Sequence, residues 1–198
     1  MEFKGQVGQD KWVCEKLNHK RDGYFLDIGA YDGVHLSNTY YLEKELEWDG
    51  VCIEPAKGAF MKLINNRSCL NIKSAVSNSD GFAEFIEEGM IGKLTEGADQ
   101  TIKVQTLTTI IKDFNLPNFI DYVSLDVEGR EYDALLGFPF DLVDVSLWTI
   151  EHNSYLDGGV LKTKIKDIML SNGYIIERED VLCQGLPFED WYINKRLL

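Results

Sequence analysis

The chain has 198 residues, of which 44% are hydrophobic, and a formal net charge of −13. That size supports one sizeable core, so one domain over 1–198 is expected; a domain cut from a longer protein would read the same. The charge, with no basic stripe beyond pairs such as Lys20-Arg21, excludes a nucleic-acid partner. No apolar run approaches the ~20 residues of a membrane span, and the opening "MEFKGQVGQDKW" lacks a signal-peptide pattern. A cytoplasmic location is therefore expected. Cys14, Cys52, Cys69 and Cys183 are scattered without zinc-site spacing, which fits free thiols.

Along the chain, segments rich in β-branched and aromatic residues read as strands. They are "YFLDI" (24–28), "GVCIE" (50–54), "LNIKSAV" (70–76), "IDYVSLD" (120–126), "VSLWTIE" (145–151), "GYIIER" (173–178) and "DWYIN" (190–194). Helix-period stripes lie between them: Phe60, Leu63 and Ile64; then Leu107, Ile110, Ile111 and Phe114; then Leu161, Ile165, Ile168 and Met169. These are read as core-facing positions. Such alternation predicts an α/β fold whose mostly parallel sheet is covered on both faces. Residues 81–105 break the pattern. "FAEFIE" and "IKVQTL" predict a small antiparallel β insertion around the loop "EEGMIGKLTEGADQT", a candidate lid or a plain surface excursion.

Ligands of open parallel sheets sit at the carboxyl ends of the strands. The turn "GAYDG" after the first strand lacks the middle glycine of a dinucleotide fingerprint. It also sets Asp27 and Asp32 where a diphosphate would lie, and carboxylates there would repel it. They suit an ammonium, a hydroxyl or a sulfonium, which together describe S-adenosylmethionine. Glu54, at the end of the second strand, occupies the position from which an acid accepts the ribose hydroxyls. A nicotinamide-dependent oxidoreductase could use the same acid and stays as an alternative, as does a non-catalytic module of a glycan-building protein.

The blocks "GQVGQDKWV", "GYFLDIGAYDGVHLSNTYYLEK", "WDGVCIEP", "AVSNSDG", "VQTLTTII" and "IDYVSLDVEGREYDALLGF", in that order over residues 5–153, resemble FkbM-type S-adenosylmethionine-dependent methyltransferases. The resemblance implies a Rossmann-like class I methyltransferase fold, a seven-stranded, mostly parallel sheet with an antiparallel last strand. It also implies O-methylation, with a sugar or glycan hydroxyl as acceptor. Carried onto this chain, Asp27, Gly29 and Gly33 form the turn around the donor's methionine portion, Glu54 holds the ribose, and Ser77 lies near the adenine. Gln9 and Asp10 match the leading block and close over the donor. The chain departs from the pattern at Gly5, where a serine is expected. Asp32 and Ser37 either join the donor site or cap the helix beginning near Asn38.

Asp126 and Glu128 follow the fourth long strand, and in this fold that end abuts the transferred methyl group. Paired carboxylates at an apolar strand end are costly unless paired, liganded or facing a polar cleft. Glu131 reads as a first-turn acid complementing a helix dipole. The next strand ends in Glu151, His152 and Asn153, whereas His19 and His35 sit in polar, surface-like surroundings. Two mechanisms remain open. Asp126, Glu128 or His152 acts as general base on an acceptor hydroxyl; or Asp126, Glu151 and His152 (or Asn153) hold magnesium or manganese. Tyr31, Trp48, Tyr155 and Trp191 could stack on a sugar or pack in the core.

Overall fold

The structure, a computed structural model, describes residues 2–88, 91–94 and 100–197. In chain order the elements are α1 (Gln9–Lys16), β1 (Tyr24–Ile28), α2 (Tyr40–Leu46), β2 (Asp49–Ile53), α3 (Lys57–Asn66), β3 (Leu70–Ile72), β4 (Ala75–Val76), β5 (Gly81–Glu88), β6 (Ile91–Leu94) and β7 (Gln100–Gln105). Then follow α4 (Leu107–Asp113), β8 (Phe119–Leu125), α5 (Glu131–Leu136), β9 (Asp144–Glu151), α6 (Ser154–Asp157), α7 (Val160–Ser171), β10 (Tyr174–Cys183) and β11 (Leu186–Asn194).

Seven strands form the main sheet in the order β10-β11-β9-β8-β1-β2-β3. Pairs from β3 through β9 are parallel, and β11 runs antiparallel to both β9 and β10. This is the class I methyltransferase arrangement expected from the sequence. Strand order reverses at β1, which has β2 on one side and β8 on the other, so a crevice opens beyond their carboxyl ends.

Period-2 alternation divides β1 between two apolar layers. Leu26 and Ile28 join one, with Val51, Ile53, Trp148, Ile165 and Met169; Phe25 joins the other, with Trp12, Leu42, Leu63, Tyr122 and Trp191. The helix stripes face inward with two exceptions. Ile64 on α3 and Phe114 at the end of α4 are each 42% exposed, since each lies at the rim of its stripe.

The expected strand 70–76 is two. The chain leaves the main sheet at Lys73-Ser74, where Ser74 Oγ donates to the carbonyls of Ala75 and Lys103. Ala75 and Val76 then pair with β7 in a second, four-stranded sheet, β4-β7-β5-β6, which is the predicted insertion. Part of the candidate lid loop, residues 89–90 and 95–99, lies outside the described residues. The last hairpin is longer than its sequence pattern suggests. Gln184 and Gly185 join β10 to β11 with φ of 51° and 83°, the two left-handed residues a tight hairpin turn needs. Among the described residues no helix is long and apolar enough to cross a membrane.

The ends of β1 and β8 meet closely. Asp126 N–H donates to Ile28 O at 3.0 Å, and a Cβ built on Gly29 would lie 1.7 Å from the Asp126 carbonyl oxygen. Gly29 also holds φ of 89°, a left-handed conformation that side chains strain. Gly29→Ala should therefore cost roughly 3 kcal/mol or more of stability, read from the urea midpoint. A loss within about 1 kcal/mol would show that the two strand ends can part freely.

Candidate active site

A cleft of about 370 Å³ opens at this crossing, lined by the segments after β1, β2 and β8 and by Ser74, Ala75 and Val76. Gly29 and Ala30 donate their N–H groups to Ile53 O, which binds the first turn to the end of β2. Glu54 closes that corner. Its Oε2 accepts the Tyr31 N–H and its Oε1 the Ala56 N–H, each at 2.8 Å. The residue lines the cleft, and carboxylate oxygens there suit a ribose diol.

Asp27 is buried at the cleft floor and accepts a 2.5 Å hydrogen bond from Thr39 Oγ1. Burial pushes its pKa up, and the Arg67 guanidinium, 4.0 Å away, opposes that. Arg67 is the residue that sequence reasoning missed. Its side chain is fully buried and donates to Gly33 O, Ser37 Oγ and Thr39 Oγ1, and it pairs with Glu43. Despite its own burial Glu43 is held down to about 2, by Arg67 first and then by Lys44 and the Ser68 N–H. Nothing in the polar run "NNRSC" announces this. Arg67 reaches the donor turn only because α3 returns the chain beneath it.

The structure brings Asp27, Gly29, Ser37 and Glu54 to the cleft and sends the other expected donor residues elsewhere. Asp32 Oδ1 accepts the N–H groups of Val34 and His35, an Asx turn outside the lining. Gly33 packs on Arg67, with 2.6 Å between its notional Cβ and Arg67 Cγ. Ser37 lines the cleft, and its Oγ receives the Tyr40 N–H at the start of α2. Ser77 is one residue past the wall and donates its N–H to Gln105 O. Gln9 faces inward, accepting the Val7 N–H and hydrogen-bonding Glu189, while Gln6 lines the cleft in its place. Asp10 ties down the N-terminal segment through the Lys4 and Gly5 N–H groups. A Cβ at Gly5 would stand 2.8 Å from Asp10 Oδ1, so this clamp accounts for glycine there. Phe85 from the insertion joins the wall.

At the other end of the cleft stand the acids after β8 and β9. Asp126 touches Glu151, and burial, aggravated by this neighbour, keeps the Glu151 pKa well up. Glu128, at φ of 55°, is raised to about 7, by desolvation first and Asp126 second. Glu131 Oε1 accepts the Val127 and Gly129 N–H groups and closes the loop ahead of α5; its pKa also rises to about 7, chiefly through burial. A second cleft of about 450 Å³ lies beyond, sharing Glu128, Arg130 and Glu151 with the first.

The expected metal set is divided. Asp126 and Glu151 gather with Glu131, whereas His152 gathers with Asp180 and Asp190. His152 Nδ1 accepts the Ser154 N–H, so its proton sits on Nε2 and faces Asp190 Oδ1 at 3.3 Å. Both His152 nitrogens are thus engaged away from Asp126. Of the aromatics, Trp48 and Trp191 are core residues, Trp191 lying 4.8 Å from Trp12 between ring centroids; Tyr31 lines the cleft and Tyr155 is half exposed.

The model of the methyltransferase FkbM domain matches residues 27–176, from the acid at the cleft floor into β10. The chain belongs to the FkbM methyltransferase family. Membership decides for methyl transfer from S-adenosylmethionine over the nicotinamide alternative. No curated protein matches the chain in sequence. Solved structures with the same fold include the METTL16 methyltransferase domain, at TM-score 0.57, 12% identity and coverage of 96% of this chain and 67% of that one. Fibrillarin of Aeropyrum pernix with natively bound S-adenosyl-L-methionine aligns at TM-score 0.52 and 12% identity, over 88% of this chain and 67% of that one. The precorrin-6y C5,15-methyltransferase of Geobacter metallireducens aligns at 0.51 and 12%, over 93% and 85%. These likenesses are of fold.

Two outcomes follow from the charges of this FkbM domain. Arg67→Met should cost about 3–5 kcal/mol in denaturant unfolding, because Asp27 and Glu43 lose their buried partner; a change below about 1 kcal/mol would show that the cluster is not held by charge. Glu189 is buried and its pKa raised from 4.5 to about 8, by desolvation first. The folded state therefore binds the extra proton, and stability falls as pH rises from 4.5 to 8. Glu189→Gln should gain on the native protein across that window in urea unfolding, and a constant difference would contradict the assignment.

Proposed function

We propose that this protein is an O-methyltransferase that moves the methyl group of S-adenosylmethionine to a sugar hydroxyl of a glycan or glycosylated metabolite. The donor fits the first cleft by chemistry. Glu54 offers acceptors to the ribose hydroxyls, and Asp27 and the Gly29 turn suit the ammonium and sulfonium end. A phosphate-bearing cofactor would meet carboxylates instead. Ser74, Ala75, Val76 and Phe85 supply the less polar wall for the adenine.

The observation that carries the reading is Glu128. It lines both clefts, and its pKa stands near 7, where a general base is most useful. The sulfonium donor is already activated, so the protein must align it with the acceptor and take the hydroxyl proton. Glu128 is the group this reading assigns to that proton, with Asp126 close enough to raise its pKa. The net charge of −13 argues against a polyanionic acceptor and leaves neutral, hydroxyl-rich ones.

Turnover on a panel of sugar acceptors, followed as S-adenosylhomocysteine release, should rise with pH through about 7 as Glu128 ionises. Glu128→Gln should lower kcat by about 10²–10⁴ and flatten that profile, with donor affinity unchanged. Donor binding without turnover on any acceptor would favour a non-catalytic module. An unaltered profile in the variant would remove Glu128 as base.

A further inference from the structure

We propose that Asp126, Glu131 and Glu151 form a binding site for one hard divalent cation, magnesium or manganese, at the junction of the two clefts. Each offers a carboxylate oxygen, and these oxygens all lie within 4.8 Å of one another. They come from three separate places, the end of β8, the first turn of α5 and the end of β9.

Two of the carboxylates are half-used in the same way. Glu131 Oε1 is fixed by the Val127 and Gly129 N–H groups, and Glu151 Oε1 by Asn153 Nδ2 at 2.6 Å. The Oε2 atom of each is buried and receives no hydrogen bond. One oxygen anchored and the other bare is how a ligand is held ready. Glu151 also shares a hydrogen bond with Asp126, and a cation would satisfy the two bare oxygens in place of protons. Among the described residues no lysine or arginine pairs with any of the three. Arg130 turns to Asp133, and Lys164 lies over the Tyr132 ring. Asp27, in the same cleft, has Arg67. The neighbouring His152–Asp180–Asp190 group has Lys162, 2.7 Å from Asp180 Oδ2, and the Nε2 proton of His152. Only the first group lacks a resident cation.

Three carboxylates and no nitrogen or sulfur select a hard ion. An ion centred among oxygens at most 4.8 Å apart lies within about 2.8 Å of each (the side divided by √3), a little beyond the 2.0–2.6 Å of magnesium and calcium contacts, so a slight closing completes the shell. Asp126 and Glu151 line the donor cleft, and Glu131 and Glu151 the second one. The ion's remaining positions thus face the place where an acceptor's oxygens would meet the methyl group. That role rests on the methyl-transfer reading; the existence of the site does not.

The test is a manganese titration of the full chain, following free ion by electron paramagnetic resonance, with S-adenosylhomocysteine binding measured in parallel. One manganese per chain should bind below about 1 mM. Glu131→Gln and Glu151→Gln should each weaken it at least about tenfold while retaining S-adenosylhomocysteine, and Asp180→Asn should leave it unchanged. Absence of saturable binding, or equal loss in Asp180→Asn, overturns the site. Protein that holds S-adenosylhomocysteine but no manganese refutes the cation site alone. Manganese bound without S-adenosylhomocysteine refutes the donor assignment and leaves the ion.

Discussion

The site exists because the ends of β1 and β8 touch and then diverge. Gly29 sets its α-carbon against the Asp126 carbonyl with no room for a side chain, and the two chains leave that point toward opposite sides of the sheet. A crevice at a topological switch point is a general property of such sheets. Here the close contact brings Asp27 and Asp126 into the same cleft.

Charge then separates the cleft into two regions. At the donor end each carboxylate has a protein partner: Asp27 has Thr39 and Arg67, and Glu54 holds two backbone N–H groups. At the other end, after β8 and β9, the acids crowd one another, and the shifts there all run upward. The first arrangement holds shape and offers acceptors. The second can take up a proton.

How much of this was legible in the sequence follows from the range of each interaction. β1 and its turn could be read because they are neighbours along the chain, and Glu54 because the end of the second strand is where a βαβ unit puts a ribose-binding acid. The alternation gave a mostly parallel sheet, and the seven-stranded arrangement with its antiparallel strand came from the family resemblance. Adjacent residues fared worse. Glu151 and His152 were grouped as one ligand pair, yet β9 ends at Glu151, which lines the first cleft, while His152 just beyond it turns to Asp190. Asp126 and Glu128, two apart, both reach that cleft. Ser77 missed by one residue because the chain switches sheets at Ser74, a break that no propensity signals. Arg67 and Glu131 were illegible as site residues, since their partners are set by how α3 and α5 return onto the sheet.

The central claim, a cleft whose carboxylates select a cationic nucleoside over a phosphorylated one, is tested most directly by calorimetry. S-adenosylmethionine and NADH would be titrated into the same protein at low and high salt. The account predicts one S-adenosylmethionine bound per chain, weakening as salt rises, and no heat from NADH. Tighter binding of NADH than of S-adenosylmethionine would contradict it.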